Sequence, residues 1–380
     1  MFLEIRPRFL FELRGLVFEI VLCLQQPLDL LSTTETSYRR VHRMQLKRGP
    51  TDLPVLLLHN LDPTWAAAEI DEAQKGVAAL QTAMEMLGHP VKTEAVNDKD
   101  LKGRLSNYGP DRYVVFNWCE DVPGFQHSDS LVAHTLEIMN FAYTGSTSDI
   151  LALSWDKQRV KCLLGQCGVP TPRWRIYRSP ELDGWNCYPA IVKPAYEHCS
   201  FGVTNESVVM ESHELSERIT FVLDAFNQPA LVEDFIDGRE FHVSLWGNGV
   251  IEMLPPAEMD FAAFGDVRDR LCTFDSKFRP GSRHYEQIEL RLPAPLNESE
   301  FKRLKLTALK AYRAIGCRDY ARLDIRLQDS IFYVLDVNPN PDISPDASIA
   351  YAAEAAGYSY GAMGSHLVNL ASQRHPVFKA

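Results

Sequence analysis

The sequence predicts a mixed α/β and α+β fold with several lobes, the first of which alternates strands and helices. Its 380 residues exceed what one hydrophobic core usually holds, so two or three packed lobes are expected. The composition, 46% hydrophobic and 23% charged, lies near the globular average and supplies enough apolar side chains for a large core. Apolar runs of strand length separated by amphipathic stretches indicate the alternation of strand and helix.

The opening lobe follows from three strand patterns and one long helical pattern. A short apolar run at 55–58 precedes a helical stretch at 64–87, which ends at Gly88. Residues 90–95 and 113–117 have the composition of further strands. Strands joined through helices run parallel, so we expect βαβ units with a mainly parallel sheet.

One long helix is expected after the break at 144–146. It would carry Asp156, Lys157 and Lys161 and end at Gly168, with prolines just beyond it. A small α+β lobe should follow, with strands at 190–193, 207–210, 230–235 and 240–246 and a helix at 211–226.

The last third combines a predicted loop region with a helix and two strands. Residues 255–282 are rich in Pro, Asp and Arg and indicate extended loops. An amphipathic helix is expected at 298–316, followed by strands at 321–327 and 331–337. The sequence contains no internal repeat.

The first 50 residues stand apart from this pattern. Apolar residues from Leu10 to Leu24 recur at steps of three and four, which predicts an amphipathic helix. Its charges are too frequent for a membrane span, and the acids Glu4, Glu12 and Glu19 argue against a transit peptide. We interpret the segment as an appendage helix or as the product of a mis-assigned start codon.

Charge and cysteine content exclude several function classes. A net charge of -11 argues against a nucleic-acid binder, which needs a basic face. The eight cysteines form no CxxC pair, which disfavours a zinc cage or a disulfide framework and favours a reducing, cytoplasmic setting. Neither a membrane nor a nucleic-acid partner is expected.

Polar residues alternate along the two strands near the C-terminus. Arg322 and Asp324 share one face of the first strand, and Asp336 and Asn338 share one face of the second. Three oxygen donors, Asp324, Asp336 and Asn338, suit Mg²⁺, which binds a few protein oxygens together with substrate phosphates. A hairpin with solvated charges explains the same spacing equally well.

Two further segments are compatible with nucleotide binding. Lys193 ends an apolar strand beside the loop 197–203, whose backbone N–H groups could fold over a phosphate. The stretch 231–241 is an apolar strand, an acidic turn and a second strand, with carboxylates able to accept from amino and hydroxyl groups. Taken alone, Lys193 could equally be an ordinary lysine at a strand end, and 231–241 could equally be an ordinary acidic hairpin.

In their order along the chain these segments resemble the ATP-grasp superfamily, and within it the D-alanine:D-alanine ligase-like branch. The resemblance covers residues 53–373 and runs through IVKP, VEDFIDGREF, TFDSKF, ARLDIR and LDVNPNP. It implies an N-terminal pre-ATP-grasp lobe, a small lid lobe and a C-terminal ATP-grasp lobe. Residues 1–50 would lie outside these lobes as an appendage, and residues 51–150 would form the βαβ domain. Residues 151–240 would form the central subdomain with the lid loop, and residues 241–380 the subdomain with the metal site.

The same resemblance implies roles for individual residues. Lys157 and Lys193 would contact ATP phosphates, and the loop around Ser200 would close over them. The adenine would be received by Glu233 and by the backbone near Phe235 and Ile236, and the ribose by Glu240. Lys277 would reach the γ-phosphate, and Arg322 would face the acyl phosphate. The metal ligands would be Asp324, Asp336 and Asn338, with Mg²⁺ or alternatively Mn²⁺ as the ion.

The reaction implied is the joining of a small carboxylate, such as an amino acid, to an amine through an acyl phosphate, with formation of a C–N bond. Three departures make cell-wall dipeptide synthesis doubtful: Cys199 stands in place of a lid serine, Phe278 in place of a tyrosine, and 59–62 in place of a serine–glutamate pair.

Four residues near the expected substrate side leave alternatives open. Cys199 is either inert or redox-sensitive, and His198 is expected to be a solvated loop histidine. Ser344 and Asp346 would either contact the acceptor or form a turn.

Two other kinds of protein are alternatives to this ligase. A biotin-dependent carboxylase shares the apparatus but has a long domain after the metal strands, for which only about 40 residues remain here. A catalytically silent ATP-binding module of the same fold is the alternative from another class. The resemblance also implies a homodimer.

Overall fold

The structure is a computed structural model that describes residues 49–181 and 184–379. The helix predicted between Leu10 and Leu24 lies outside the described residues. Within the described part no helix is both long and apolar enough to cross a membrane.

The first lobe is built on a three-stranded parallel sheet in the order β2-β1-β3. Its leading elements are β1 (Val55–Asn60), α1 (Ala67–Glu85), β2 (Val91–Val96), α2 (Leu101–Leu105), β3 (Val114–Trp118) and α3 (Asp129–Ile138). The apolar residues of β1 are fully buried on both faces, as parallel strands covered by helices require. The predicted βαβ arrangement with a parallel sheet is therefore confirmed.

The single long helix predicted after residue 146 is wrong. Two helices occupy this stretch, α4 (Ser148–Ser154) and α5 (Lys157–Gln166). Asp156 caps α5, because its Oδ1 accepts the N–H of Arg159 at 3.0 Å. An aspartate that prefers to cap rather than continue a helix explains the break, and Lys157 becomes the first residue of α5.

A four-stranded antiparallel sheet forms the small central lobe, in the order β4-β7-β5-β6. Its elements are β4 (Trp174–Tyr177), β5 (Ala190–Pro194), β6 (Val208–Val209), α6 (Ser212–Phe226) and β7 (Ala230–Asp234). One face of the sheet packs on α6 through a core that includes Val192, Ile219 and Val232. The predicted α+β character of this region is confirmed.

The third sheet has the order β11-β10-β8-β12-β13, with β9 paired to β8. Its strands are β8 (Arg239–Trp246), β9 (Glu252–Met253), β10 (Ala257–Asp260), β11 (Glu289–Arg291), β12 (Tyr320–Gln328) and β13 (Ile331–Asn338). The helices between them are α7 (Phe274–Phe278), α8 (Arg283–Gln287) and α9 (Glu298–Ile315). Because β10 and α7 lie within residues 255–282, the prediction of extended loops there is wrong in part.

The two faces of this sheet differ in character. Phe241, Val243, Leu323 and Ile325 point into a core that also contains apolar residues of α5 and α9. Alternation of side chains along each strand therefore directs the polar residues of β8, β12 and β13 to the opposite face. That face is where the candidate site lies.

Two C-terminal helices, α10 (Ser348–Ala355) and α11 (Tyr360–Ser372), return to the first lobe. Ala350, Leu367 and Val368 share a core cluster with Val55 and Leu80 of that lobe. A Cβ at Gly361 would lie 2.3 Å from the carbonyl oxygen of Ala83, so α11 approaches α1 closely only with glycine there. The division at residues 50, 150 and 240 stays a prediction.

A fully buried carboxylate, Asp319, joins the lobes immediately before β12. Arg374 after α11 donates to both of its oxygens, at 2.8 and 2.6 Å. The N–H of Gly145 donates to Oδ2 at 2.9 Å, and Asn248 Nδ2 donates to Oδ1 at 2.8 Å. This carboxylate therefore connects the first lobe, the turn after β8 and the C-terminal helix.

We predict that Asp319→Asn lowers the free energy of unfolding by about 3 kcal/mol, because an amide NH₂ would face donors where an oxygen now accepts from them. Asn keeps the left-handed backbone of this residue (φ 62°), so backbone strain does not contribute. Urea unfolding is the measurement. The exposed Asp224→Asn on α6 is the matched control and should change the free energy by less than about 0.5 kcal/mol; an equal effect of both changes would contradict the prediction.

Candidate functional site

A cleft between the central sheet and the polar face of the third sheet gathers most of the predicted site residues. The following ten line it: Lys157, Lys193, Ser200, Glu233, Phe235, Ile236, Glu240, Lys277, Asp324 and Asp336. Arg322 and Asn338 lie on the same sheet but outside the lining. Residues separated by up to 179 positions in the chain thus meet in one space.

The two strands β12 and β13 place the metal-ligand candidates opposite one another. Asp324 pairs with Asp336, and Arg322 pairs with Asn338, in antiparallel register. Directly opposed residues on one face lie close together, so the four polar side chains form a compact group. The predicted alternation along both strands is what the structure shows, with a register shift only after Asp324.

Each of the two carboxylates has a cation beside it. Lys157 Nζ lies 3.1 Å from Asp336 Oδ2, and Arg322 Nε lies 2.9 Å from Asp324 Oδ1. Burial by itself would raise the pKa of both aspartates, but Arg322 at Asp324 and Lys157 at Asp336 outweigh it and lower both pKa values. Both groups are therefore ionised at neutral pH, and anionic oxygens are the donors that Mg²⁺ prefers.

The side-chain oxygen of Asn338 already accepts a hydrogen bond from the N–H of Asn340 at 3.0 Å. A carbonyl oxygen has a second lone pair, so this bond leaves one direction for a metal ion. The donor set of two carboxylates and one amide oxygen fits a magnesium site.

Glu233 is buried between two lysines. Lys161 Nζ lies 2.7 Å from its Oε1, and Lys193 Nζ donates to its Oε2 at 2.8 Å. Burial by itself raises the pKa of this carboxyl, but the two ammonium groups outweigh burial and lower it. Glu233 is thus an ionised anchor that holds Lys193 at the wall of the cleft.

Lys161 was not among the predicted site residues. It is 2% exposed and also donates to Thr171 Oγ1 and to the carbonyl of Leu335, each at 2.8 Å. The helical pattern alone places it one turn after Lys157, but its partner Glu233 lies on β7 and its partner Leu335 on β13. Only the fold reveals that this lysine joins the two walls of the cleft.

Arg326 is a second buried cation that the sequence did not single out as a site residue. Its Nε donates to Glu240 Oε2 at 2.7 Å, and its Nη1 donates to the carbonyl of Ile236 at 2.7 Å. The guanidinium also lies over the Phe235 ring, 4.7 Å from the centroid. Arg326 therefore orients three of the residues predicted to receive adenosine.

The loop 195–202 covers the cleft and has an unusual backbone. Cys199 and Ser200 have φ values of 56° and 59°, in the left-handed region. Ser200 Oγ donates to the carbonyl of Cys272 at 3.0 Å and receives a bond from Lys277 Nζ at 2.9 Å. Through Ser200 the loop is thereby attached to the segment that leads into α7 and to α7 itself.

His198 attaches the same loop to Trp155, the residue after α4. The prediction that His198 is a solvated histidine is therefore wrong. Its ring contacts the Trp155 ring edge-on with centroids 4.2 Å apart, and Trp155 stacks on His127. Burial and the neighbouring Lys157 lower the pKa of His198 to about 4, so the ring is neutral at pH 7. His127 lies 3.5 Å from Glu197, which closes this contact group.

The remaining substrate-side residues are placed as follows. Cys199 is an exposed residue of the loop, but its thiol is surrounded by cleft residues, and this burial raises the pKa of the thiol more than Lys277 lowers it. Ser344 is buried and bonds to Asp342 Oδ1 through both its N–H and its hydroxyl, which is the geometry of a turn. Asn60, the last residue of β1, accepts the N–H of Glu120 through its Oδ1 at 2.5 Å.

We predict that Lys161→Met lowers the free energy of unfolding by about 3 to 5 kcal/mol, because it leaves the Glu233 carboxylate buried with one cation instead of two. Glu233→Gln in the same chain should recover part of that loss, and the double-mutant cycle should show a coupling of about 1 kcal/mol or more. Denaturant unfolding of the four proteins measures it.

Lys302→Met on α9 is the control for removing a lysine, since Lys302 is exposed and forms an i,i+4 pair with the exposed Glu298. It should cost about 0.5 kcal/mol or less. Strict additivity of Lys161→Met and Glu233→Gln would show that the two groups do not act as a pair.

Comparison with known proteins agrees with this geometry. The family model of the D-ala D-ala ligase C-terminus matches residues 172–369. An uncharacterized protein of Sinorhizobium fredii, y4sG, is 33% identical over 311 residues, covering 80% of this chain and 88% of the relative. The D-alanine–D-alanine ligase of Desulforudis audaxviator is 32% identical over 315 residues, covering 81% and 96%.

A solved structure shares the fold. The D-alanine–D-alanine ligase of Bacillus anthracis complexed with ATP superimposes with a TM-score of 0.64 at 19% identity, covering 84% of this chain and 97% of that one. The predicted ATP-grasp fold is thereby confirmed, and so, at the level of the family, are the ligase class and the use of ATP with Mg²⁺. The chain belongs to the D-alanine–D-alanine ligase-like family of ATP-grasp proteins.

Proposed function

We propose that this protein is an ATP- and Mg²⁺-dependent ligase that joins a small carboxylate to an amine through an acyl phosphate. The observation that carries the proposal is the meeting of cations and carboxylates in one cleft. Lys157, Lys193 and Lys277 line the same space as Asp324 and Asp336. A polyphosphate with its metal ion needs both signs of charge at close range.

Each end of the cleft suits a different part of ATP. Phe235, Ile236, Ile191 and Leu335 supply aromatic and apolar walls that suit the adenine, with Glu240 beside them for the ribose. Lys157, Lys193 and Lys277 would neutralise the phosphates. Asp324, Asp336 and Asn338 would hold Mg²⁺, which supplies charge neutralisation at the transferred phosphoryl group.

The proposed reaction has two steps. A carboxylate oxygen forms a bond to the γ-phosphorus while the bond to the β–γ bridging oxygen breaks and ADP leaves. The amine nitrogen then bonds to the acyl carbon, phosphate leaves, and the amine loses a proton. Arg322, at the end of the polar group on β12, would face the developing negative charge of the acyl phosphate.

The loop 195–202 would exclude water during these steps. An acyl phosphate is hydrolysed by water, so an enzyme that forms one benefits from a cover. Hydrogen bonds from Ser200 to Cys272 and from Lys277 to Ser200 hold the loop across the cleft. Lys277 would thus connect the cover with the γ-phosphate.

The substrates belong to the broad class of amino acids and similar small carboxylates with an amine partner. The relative from Desulforudis audaxviator is a D-alanine–D-alanine ligase, whereas Cys199 and residues 59–62 differ here from the pattern that the family resemblance implies. We therefore propose the reaction class and leave the D-alanine pair as one candidate among others. A cytoplasmic location and a homodimer complete the proposal.

The test is ADP and phosphate release with Mg²⁺ and ATP against a panel of amino acids and dipeptides. A product mass equal to both substrates minus water is expected for one pair. Lys193→Met and Asp336→Asn should each reduce turnover by about 100-fold or more, since each removes a charge beside the phosphates. Lys302→Met should leave turnover unchanged. ATP binding without stimulated release by any pair would instead support the silent ATP-binding module.

The metal ligands have a separate test. Asp324→Asn and Asn338→Ala should each raise the Mg²⁺ concentration for half-maximal turnover by about 10-fold or more, with a much smaller effect on the thermal unfolding midpoint. Titration of turnover with Mg²⁺ at saturating ATP measures this. An unchanged titration for Asn338→Ala would remove Asn338 from the ligand set and leave the two carboxylates.

A further inference from the structure

A second group of metal-binding side chains lies beside the candidate magnesium site. Glu240, His242 and Cys272 each offer one ligand atom, and these atoms lie within 4.8 Å of one another. They come from β8 and from the segment before α7, so no motif of closely spaced residues signals them in the sequence. We propose that they form a site for a thiophilic divalent cation of the Zn²⁺ class.

The imidazole of His242 is the central observation. It is 7% exposed, and its Nε2 has no hydrogen-bond partner among the residues that the structure describes. A buried ring nitrogen without a partner is costly, and a metal ion would satisfy it. Glu240 Oε1 and Asp324 Oδ1 each lie 3.9 Å from this nitrogen, so two carboxylate oxygens face it.

The surroundings hold the ligands in place. Arg326 binds the other carboxylate oxygen of Glu240, which leaves Oε1 directed to the group. Arg326 also donates to the carbonyl of Arg270, and Ser200 Oγ donates to the carbonyl of Cys272, so the segment carrying the thiol is attached at two points. Contacts of this kind orient the ligands of metal sites.

The donor set distinguishes this site from its neighbour. A thiolate, an imidazole and a carboxylate suit Zn²⁺, whereas Mg²⁺ prefers oxygen ligands such as those of Asp324 and Asp336. In a tetrahedral zinc site the sulfur and nitrogen lie roughly 3.5 Å apart, so atoms that are within 4.8 Å of one another must draw together by up to about 1.3 Å. Rotation of the Glu240 and Cys272 side chains would supply this shift.

Occupation of this site has a consequence for the cleft. Glu240 and Cys272 line the same space that we propose for ATP. A bound ion would draw both side chains toward His242 and would compete with the nucleotide. This part of the inference rests on the proposed function, whereas metal binding itself does not.

The test uses Co²⁺ as a spectroscopic substitute for Zn²⁺, added to the reduced full-length protein in excess Mg²⁺. We expect a thiolate-to-cobalt charge-transfer band in the wild type. Cys272→Ser should abolish the band, and His242→Asn should weaken Co²⁺ binding by about 10-fold or more. Cys162→Ser, an exposed thiol on α5, is the matched control and should keep the band. Absence of the band in the wild type, or its persistence in Cys272→Ser, would overturn the proposal.

A second measurement needs no variant. Zn²⁺ without nucleotide should protect Cys272, but not Cys162, from alkylation in the wild type, as read by peptide mass spectrometry. Equal labelling of Cys272 with and without Zn²⁺ would overturn the site even if the variants fail to fold.

A third experiment tests competition between the bound metal ion and ATP: ATP is added to the Co²⁺-loaded protein and the cobalt band is followed. ATP binding is measured separately by calorimetry in Mg²⁺ alone. Displacement of Co²⁺ by ATP is expected. If ATP binds but the cobalt band is unaffected, competition is wrong and the metal site stands. If ATP does not bind at all, the proposed function fails independently of the metal result.

Discussion

The position of the third sheet relative to the first lobe depends on the contacts of one buried carboxylate, Asp319. Its four hydrogen bonds join a turn of the first lobe, the turn after β8 and the residue Arg374 that follows the last helix. The next residue begins β12, the strand that carries Arg322, Asp324 and Arg326. Because a charge buried in this way is stable only with all its partners, the three parts of the chain must assemble around it together. The position of β12 relative to the first lobe follows from that requirement.

The cleft also depends on paired charges, most of which lie nearer to solvent than Asp319. Lys161 and Lys193 share Glu233, Lys157 faces Asp336, and Arg322 faces Asp324. Each cation is held by an acid before any ligand binds, so little side-chain entropy remains to be lost when a phosphate arrives. In the proposed function, ATP with its metal ion would therefore replace existing ion-pair partners of these side chains, because none of the charges is isolated beforehand. Positioned groups of this kind are what phosphoryl transfer needs.

Local pattern predicted the parts of the site that depend on alternation along a strand. Arg322, Asp324, Asp336 and Asn338 lie opposite one another because two-residue periodicity and a short turn determine their register. Lys161 and Arg326 were missed as site residues because their partners lie on other strands, as far as 174 residues away. The sequence pattern does not reveal the break before Lys157, because Asp156 is compatible with a helix surface and its capping role depends on its non-helical backbone (φ −97°, ψ 88°). His198 was misjudged because the aromatic residue that covers it, Trp155, belongs to a different segment.

The backbone of the lid loop has a consequence for the energetics of closing the cleft. Cys199 and Ser200 both hold left-handed conformations, each of which costs a residue with a Cβ atom about 1 kcal/mol. The hydrogen bonds at Ser200 and the ring contact of His198 offset this cost at the two sides of the loop. In the proposed reaction this strain would reduce the free-energy difference between a closed and an open loop, so a bound phosphate would shift that equilibrium with a few contacts. A loop without backbone strain in its closed form would open slowly and delay product release. A loop that is strained when closed would reopen once its contacts with the phosphate are lost.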